Sequence, residues 1–178
     1  MRFLVLLLLL AALPAALAAA RQHPARAPRP AATPSATAPK SIGTWDRWQA
    51  ATHQEGGQLV CYAFTRAASS QPAVPGRGDV VLTVTERPGS RDAVAISAGY
   101  AYPKGAAAEM QADGVKLPLY TAGRTAFAKD GKAAVSAFEK AREIVARAPA
   151  PRGQVTDLFS PRGFGAAYAA ILKECPAR

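Results

Sequence analysis

The chain has 178 residues, 15 of them proline, and 22 Lys and Arg against 12 Asp and Glu give a formal charge of +10. Two cysteines and two histidines are too widely spaced for a closed zinc centre, which wants four ligands at tight spacing, and His23 lies in a Pro-rich stretch, so no metal is expected, and no other cofactor either. A basic balance of this size draws polyanions, whether lipid headgroups, lipopolysaccharide, acidic glycans or nucleic acid, without choosing among them. No nucleic-acid-binding motif and no internal repeat is present.

The first element, residues 1–20, reads as a secretory signal peptide. Arg2 supplies the positive start, Phe3 to Leu13 the apolar stretch, and Pro14 the break. Ala16-Leu17-Ala18 and Ala18-Ala19-Ala20 then offer two cleavage sites. A membrane anchor is the other reading, but a span wants about 20 apolar residues. Removing Arg2 with the signal lowers the charge to +9. The protein is therefore expected to be periplasmic or secreted, with no transmembrane segment after signal removal.

Residues 21–40 carry five prolines, four basic residues and no acid. Such a composition cannot bury enough apolar surface to fold, so the segment reads as an extended tether. Its cations, Arg21, Arg26, Arg29 and Lys40, are candidate polyanion contacts. An inert spacer is the other reading.

The folded domain is expected over residues 41–178. Trp45 to Thr52 reads as a first strand, and Gln54-Glu55-Gly56-Gly57 as a turn. Leu59 to Thr65 is apolar on both faces, which predicts a central strand. Ser69 to Gly78 reads as a loop. Val80 to Thr85 alternates, with Val80, Leu82 and Val84 on one face, and after a turn at Arg87–Ser90 so do Val94, Ile96, Ala98 and Tyr100. Pro103-Lys104-Gly105 turns the chain again. Asp113-Gly114 between alternating stretches predicts a type I′ hairpin. Pro118 implies that the return strand ends there or lies at an edge. A short strand follows at Thr125–Ala128. Ala134, Val135, Phe138 and Ala141 fall at helical spacing, which predicts a short helix over Lys132–Arg142. Glu143 to Ala148 and Gln154 to Phe159 read as two more strands around a turn at Ala150–Gly153. Ser160-Pro161 then starts a last helix running to Glu174.

The fold class expected is mainly β, a single antiparallel sandwich or open barrel with one short internal helix and a C-terminal helix. Trp45 or Trp48, Leu59, Val60, Leu82, Val84, Ile96, Tyr100, Phe138, Phe164 and Ile171 are the expected core.

Phe164, Tyr168, Ile171, Leu172 and Cys175 form one stripe of the last helix, so Cys175 faces inward. Cys61 sits in the strand expected to be most buried. In an oxidising compartment two such thiols pair. A disulfide would close a loop of more than 100 residues, for which chain entropy allows about 4–5 kcal/mol. Two buried free cysteines are the alternative. A reactive thiol is disfavoured, because neither cysteine has a CxxC partner or an adjacent base.

Catalytic patterns are sparse. His53 is the only histidine of the domain, and no Gly-x-Ser-x-Gly elbow accompanies it. Glu86, Asp92, Glu109 and Asp113 could supply a carboxylate pair for hydrolysis, but all are expected as solvated charges at strand ends and turns. No phosphate loop is found. Arg77-Gly78-Asp79 spells an adhesion tripeptide, a match of low specificity that also reads as a turn entering a strand.

Five segments in order resemble the invasion-associated locus B family of exported bacterial proteins. They are Gly43-Thr44-Trp45, GGQLVCYAFTR from Gly56, VTERP over Val84–Pro88, ISAGYAYPKG over Ile96–Gly105, and RGQVTDLFSPRGFGAAYAAILKEC from Arg152. The resemblance covers Ser41 to Cys175. It implies a small, mostly β periplasmic or secreted domain without known catalytic residues. Family members often carry a further cysteine near the first strand, where this chain has Gln49-Ala50-Ala51, so a second disulfide of the family is absent. The function expected is a non-catalytic envelope or secreted factor that binds an anionic envelope component or another envelope protein. A glycan or peptide hydrolase using surface carboxylates is the alternative.

Overall fold

A computed structural model describes residues 38–177. The signal peptide and the cations Arg21, Arg26 and Arg29 lie outside the described residues. The domain is mainly β, an antiparallel sheet of eleven strands with two helices. In chain order the strands are β1 (Lys40–Trp45), β2 (Trp48–Glu55), β3 (Gln58–Arg66), β4 (Ser69–Gln71), β5 (Val81–Arg87), β6 (Ser90–Ser97), β7 (Ala107–Ala112), β8 (Val115–Ala122) and β9 (Thr125–Ala128). Helix α1 (Gly131–Phe138), β10 (Ile144–Pro149), β11 (Gln154–Phe159) and helix α2 (Phe164–Glu174) follow.

Across the sheet the order is β1-β2-β3-β5-β6-β9-β8-β7-β10-β11-β4. Two consecutive residues show how strongly it curls. Ala67 donates its N–H to Val80 at the start of β5, and Ala68 donates to Leu158 in β11. The far end of the sheet therefore closes to within a residue or two of its middle, giving an open barrel. Its free edges are protected: β4 is three residues long and followed by Pro72, and β1 carries a register shift between Ser41 and Gly43.

Both helices pack on the inner side. Phe164 is the hub, with ring centroids 4.8 Å from Trp48 of β2 and 5.5 Å from both Phe138 of α1 and Tyr168. Trp48 is fully buried and its indole N–H donates to the Ser160 carbonyl at 2.9 Å. Val60, Leu82, Val84, Ile96, Tyr100, Phe138, Phe164 and Ile171 are buried as expected. Leu59 is not: it is 37 % exposed, because it lines a half-open cavity beside Glu174 and Cys175 at the end of α2.

Several expected boundaries shift. The strand expected over Trp45–Thr52 contains a hairpin. Trp45 pairs with Trp48, and Asp46 turns the chain at φ 50°, a left-handed conformation that Asp tolerates through its short polar side chain. Lys40 begins β1, so it belongs to the domain and not to the tether. The loop expected at Ser69–Gly78 contains the edge strand β4. At Asp113-Gly114 both φ values are positive, as a type I′ turn requires.

Pro118 lies inside β8, between β7 and β9, and not at an edge. Its carbonyl accepts the Lys129 N–H at 3.0 Å, so its nitrogen faces a point just past the end of β9. The missing donor is therefore not needed by the ladder. Helix α1 stops at Phe138, short of Arg142, and is capped by Asp130, which accepts the Ala133 N–H at 2.9 Å. Helix α2 starts at Phe164, not at Pro161. Gly163 caps it at φ 89°, and a Cβ there would lie 1.8 Å from the Trp45 carbonyl oxygen, so only glycine fits the step.

Candidate functional site

Three places gather chemically able side chains. The first is the end of the barrel where β3, the β5–β6 hairpin and the end of α2 meet. Cys61 and Cys175 form a disulfide there, across 114 positions of sequence. Beside it lies a half-open cavity of about 620 Å³, with Leu59, Arg87, Arg91, Glu174 and Cys175 among its walls.

Behind the cavity sits Glu86. It was expected as a solvated charge, but its side chain is fully buried. Leu82, Val84 and Glu86 share one parity along β5, so the same alternation that buries the leucine and valine turns the carboxyl inward, opposite Cys61. One carboxyl oxygen accepts the Asp92 N–H at 3.2 Å. The other has Arg91 Nε at 2.7 Å, an ion-pair distance, but that N–H is not aligned with it and the oxygen has no hydrogen-bond donor. Burial pushes the Glu86 carboxyl up to about 7, although the Arg91 charge and the Asp92 N–H pull the other way.

The remaining candidate carboxylates are scattered. Asp92 stands next to Glu86 and accepts the Tyr168 hydroxyl of α2. Glu109 is half-buried and accepts from Gln111 at 2.6 Å. Asp113 accepts the Arg142 and Glu143 backbone N–H groups, and these bonds hold it below the usual carboxylate range. Glu86 and Asp92 are thus the close pair. Neither lines any of the three cavities described for the protein. His53 lies on the outer face, 3.7 Å from Glu55 and edge-on to Tyr62. Among the described residues there is no cluster of three or more metal-ligating side chains and no helix long and apolar enough to cross a membrane.

The second place is the Arg77-Gly78-Asp79 tripeptide. The Arg77 side chain is 5 % exposed, turned into the domain, and bound through both terminal nitrogens to Asp157 at 2.7 and 2.8 Å. Of the two charged side chains only that of Asp79 faces solvent, paired with Arg66. An adhesion motif needs its arginine outside, so here the tripeptide is a structural turn.

The third place is the outer face of the sheet, opposite both helices. Register lines up Phe64, Thr83, Ala95, Phe127 and Tyr120 across β3, β5, β6, β9 and β8. On one side runs Tyr62-Thr85-Ala93, and on the other Arg66-Val81-Ser97-Thr125-Ala122. Tyr120 and Phe127 stack at 5.3 Å, and Tyr120 is 51 % exposed. These rows carry hydroxyls, rings and one arginine, Arg66, which is paired with Asp79, and at the margin of the same face Glu55 is paired with Arg87. They come from five separate strands, so the sequence alone held no signal for them. Glu86 did have one, its inward parity with Leu82 and Val84.

Compared with known protein families, with curated proteins and with solved structures, the chain matches none.

Proposed function

We propose that the protein is a non-catalytic exported factor of the invasion-associated locus B type, acting by binding an anionic component of the bacterial envelope. The observation that carries this reading is the aromatic row of the outer face, Tyr120, Phe127 and Phe64, on a chain of formal charge +10. Rings stack on apolar or sugar surfaces, and the two acids at the margin of the face, Glu55 and Asp79, are each paired with an arginine while the net charge draws anions. The five ordered segments and the cysteine pair support the family. The burial of Glu86, and the absence of both Glu86 and Asp92 from the walls of the three cavities, favours binding over a hydrolase using that pair. Lys40 is exposed at the start of β1 and continues the cations of Arg21, Arg26 and Arg29.

The test is co-sedimentation of the purified protein with anionic vesicles and with an immobilised acidic glycan. Binding is expected at low salt and declines steadily as salt rises. Tyr120→Ala with Phe127→Ala should weaken it at unchanged melting temperature, and deleting Gln22 to Pro39, which spares β1, should weaken the salt-sensitive part. No association at low salt would sink the reading, and turnover of an envelope polymer abolished by one carboxylate substitution would move the protein to the enzymes.

A further inference from the structure

An open groove of about 460 Å³ crosses the outer face of the sheet, on the side away from both helices. Tyr62 and Phe64 of β3, Thr83 and Thr85 of β5, and His53 of β2 line it, and so does Pro39, just before β1. Register sets Thr83 beside Phe64 and Thr85 beside Tyr62. The Tyr62 and Phe64 rings lie 5.8 Å apart, and His53 meets Tyr62 edge-on at 5.5 Å. Arg87, at the margin, is already paired with Glu55. The groove therefore offers rings, methyls and hydroxyls, which suits an uncharged occupant.

The chain itself arrives at this groove. Lys40 is the first residue of β1 to pair, opposite Thr52. Proline has no N–H to extend the ladder, so the chain leaves the sheet at Pro39. The sequence running into it is Ser35-Ala36-Thr37-Ala38, small and uncharged, with Pro34 on its other side. Such a segment enters a ring-lined groove without taking a charge out of water. Proline also favours an extended backbone in the residue before it, and a chain that is stiff beforehand loses little entropy on seating. Length agrees as well. At ~3.1 Å per residue, Ser35 to Ala38 extends about 12 Å, and two strand spacings of about 4.8 Å lead from β2 past β3 to β5.

We propose that Ser35–Pro39 seats in this groove as a strap over Tyr62 and Phe64, and so covers one end of the aromatic row that runs on to Phe127 and Tyr120.

Attachment favours the strap over a free peptide. Pro39 is already at the groove, so closure orders only a few residues and loses no translational freedom. The strap also divides the row. Tyr120 lies on β8, beyond β5, β6 and β9 from the Phe64 strand, and so outside the reach of these residues. It stays 51 % exposed, while Tyr62 and Phe64 are half-buried before any strap is seated. An external ligand meets Tyr120 and Phe127 first, and displacing the strap lengthens its platform to Phe64.

The experiment is hydroxyl-radical footprinting of the purified, disulfide-intact protein, read residue by residue in the mass spectrometer. Deleting Gln22 to Ala38, which keeps Pro39, should raise oxidation of Tyr62 and Phe64 severalfold and leave Tyr120 unchanged. Deleting Gln22 to Pro34 should leave all three as in the undeleted protein. Methyl NMR needs no deletion: the rings should shift the Thr37 methyl upfield, and Phe64→Leu, a change on the outer face, should return it toward its ordinary position. Equal oxidation of Tyr62 and Phe64 with and without residues 22–38, or an unshifted Thr37 methyl, would overturn the strap. So would protection already lost on deleting Gln22 to Pro34, or protection that grows with protein concentration, the mark of a second copy. No anionic ligand enters these measurements, so they stand apart from the binding reading above.

Discussion

Two buried acids in this small domain each face an arginine, and the two pairs are built to opposite standards. In the first, Arg77 and Asp157 meet through two aligned hydrogen bonds. Arg77 Nε also donates to the Ala98 carbonyl at 2.7 Å, Ser70 donates to Asp157 at 2.6 Å, and the guanidinium lies 5.0 Å from the Tyr100 ring. In the second, Glu86 faces a misaligned Arg91 and a neighbouring carboxylate, and one of its oxygens has no donor. The acid is buried in both, although Arg91 is 31 % exposed where Arg77 is 5 %, so burial of the acid alone does not decide whether a pair is a fixed strut or a titrating group. Satisfaction of the hydrogen bonds does. The satisfied pair ties the loop before β5 to β11, where the curled sheet nearly meets itself. The unsatisfied pair lies under α2, where a covalent bond is also present.

That covalent bond offers the largest test. Cys61→Ala with Cys175→Ala should cost about 4–5 kcal/mol by chain entropy alone, read from urea denaturation of the folded variant. The loss should fall on the Glu86 end, with exchange at α2 rising most. Even loss throughout the domain would break the contrast between the two ends.

Arg77→Ala should cost about 3–5 kcal/mol, because it leaves Asp157 buried without its partner. Arg77→Lys should recover only part of this, since a lysine cannot make the forked contact. A cost below that of a surface pair would show that the first pair is not the strut described.

Glu86→Gln sharpens the contrast through pH. Wild-type stability should fall relative to the variant by about 2–3 kcal/mol from pH 5 to pH 8, as the buried carboxyl loses its proton. Thermal melts at the two pH values measure this, and parallel pH profiles would remove the difference between the pairs.

Asp130→Ala, which uncaps α1, should cost about 1 kcal/mol in the same melts. Because Gly131 of that helix presses on Asp92, it should also shift the pH profile of the Glu86 end. The smallest effect concerns the other pair. Cell attachment should be unchanged in Asp79→Glu, since Arg77 is turned inward and only Asp79 is presented.

Much of the fold was legible because it rests on local chemistry. Gly56-Gly57, Pro88-Gly89 and Asp113-Gly114 place the turns through their tolerance of positive φ, and alternation marks β5 and β6. The cysteine pair was legible too, because a helix stripe and a two-sided strand both point their thiols inward. The hairpin at Asp46 was not, since a left-handed aspartate has no glycine beside it to mark the turn. Neither was the start of α2, where Ser160-Pro161 has the chemistry of a cap but contact with Trp45 decides the step at Gly163. Of the candidate sites, Glu86 was misread: the inward parity was visible, but an acid on that parity was taken as the end of the strand.

By itself, the sequence determined a basic chain, a mainly antiparallel β domain, most of its turns, and the two cysteines that join. Those follow from the preferences of a few neighbouring residues. Only the tertiary structure decided which strands lie side by side, and so which rings line up across the outer face. It alone decided that Arg77 is a strut and that Glu86 is a buried acid with an unanswered oxygen. Each of these depends on residues tens of positions apart meeting in space, where hydrogen-bond alignment and burial are set by partners that no local pattern encodes.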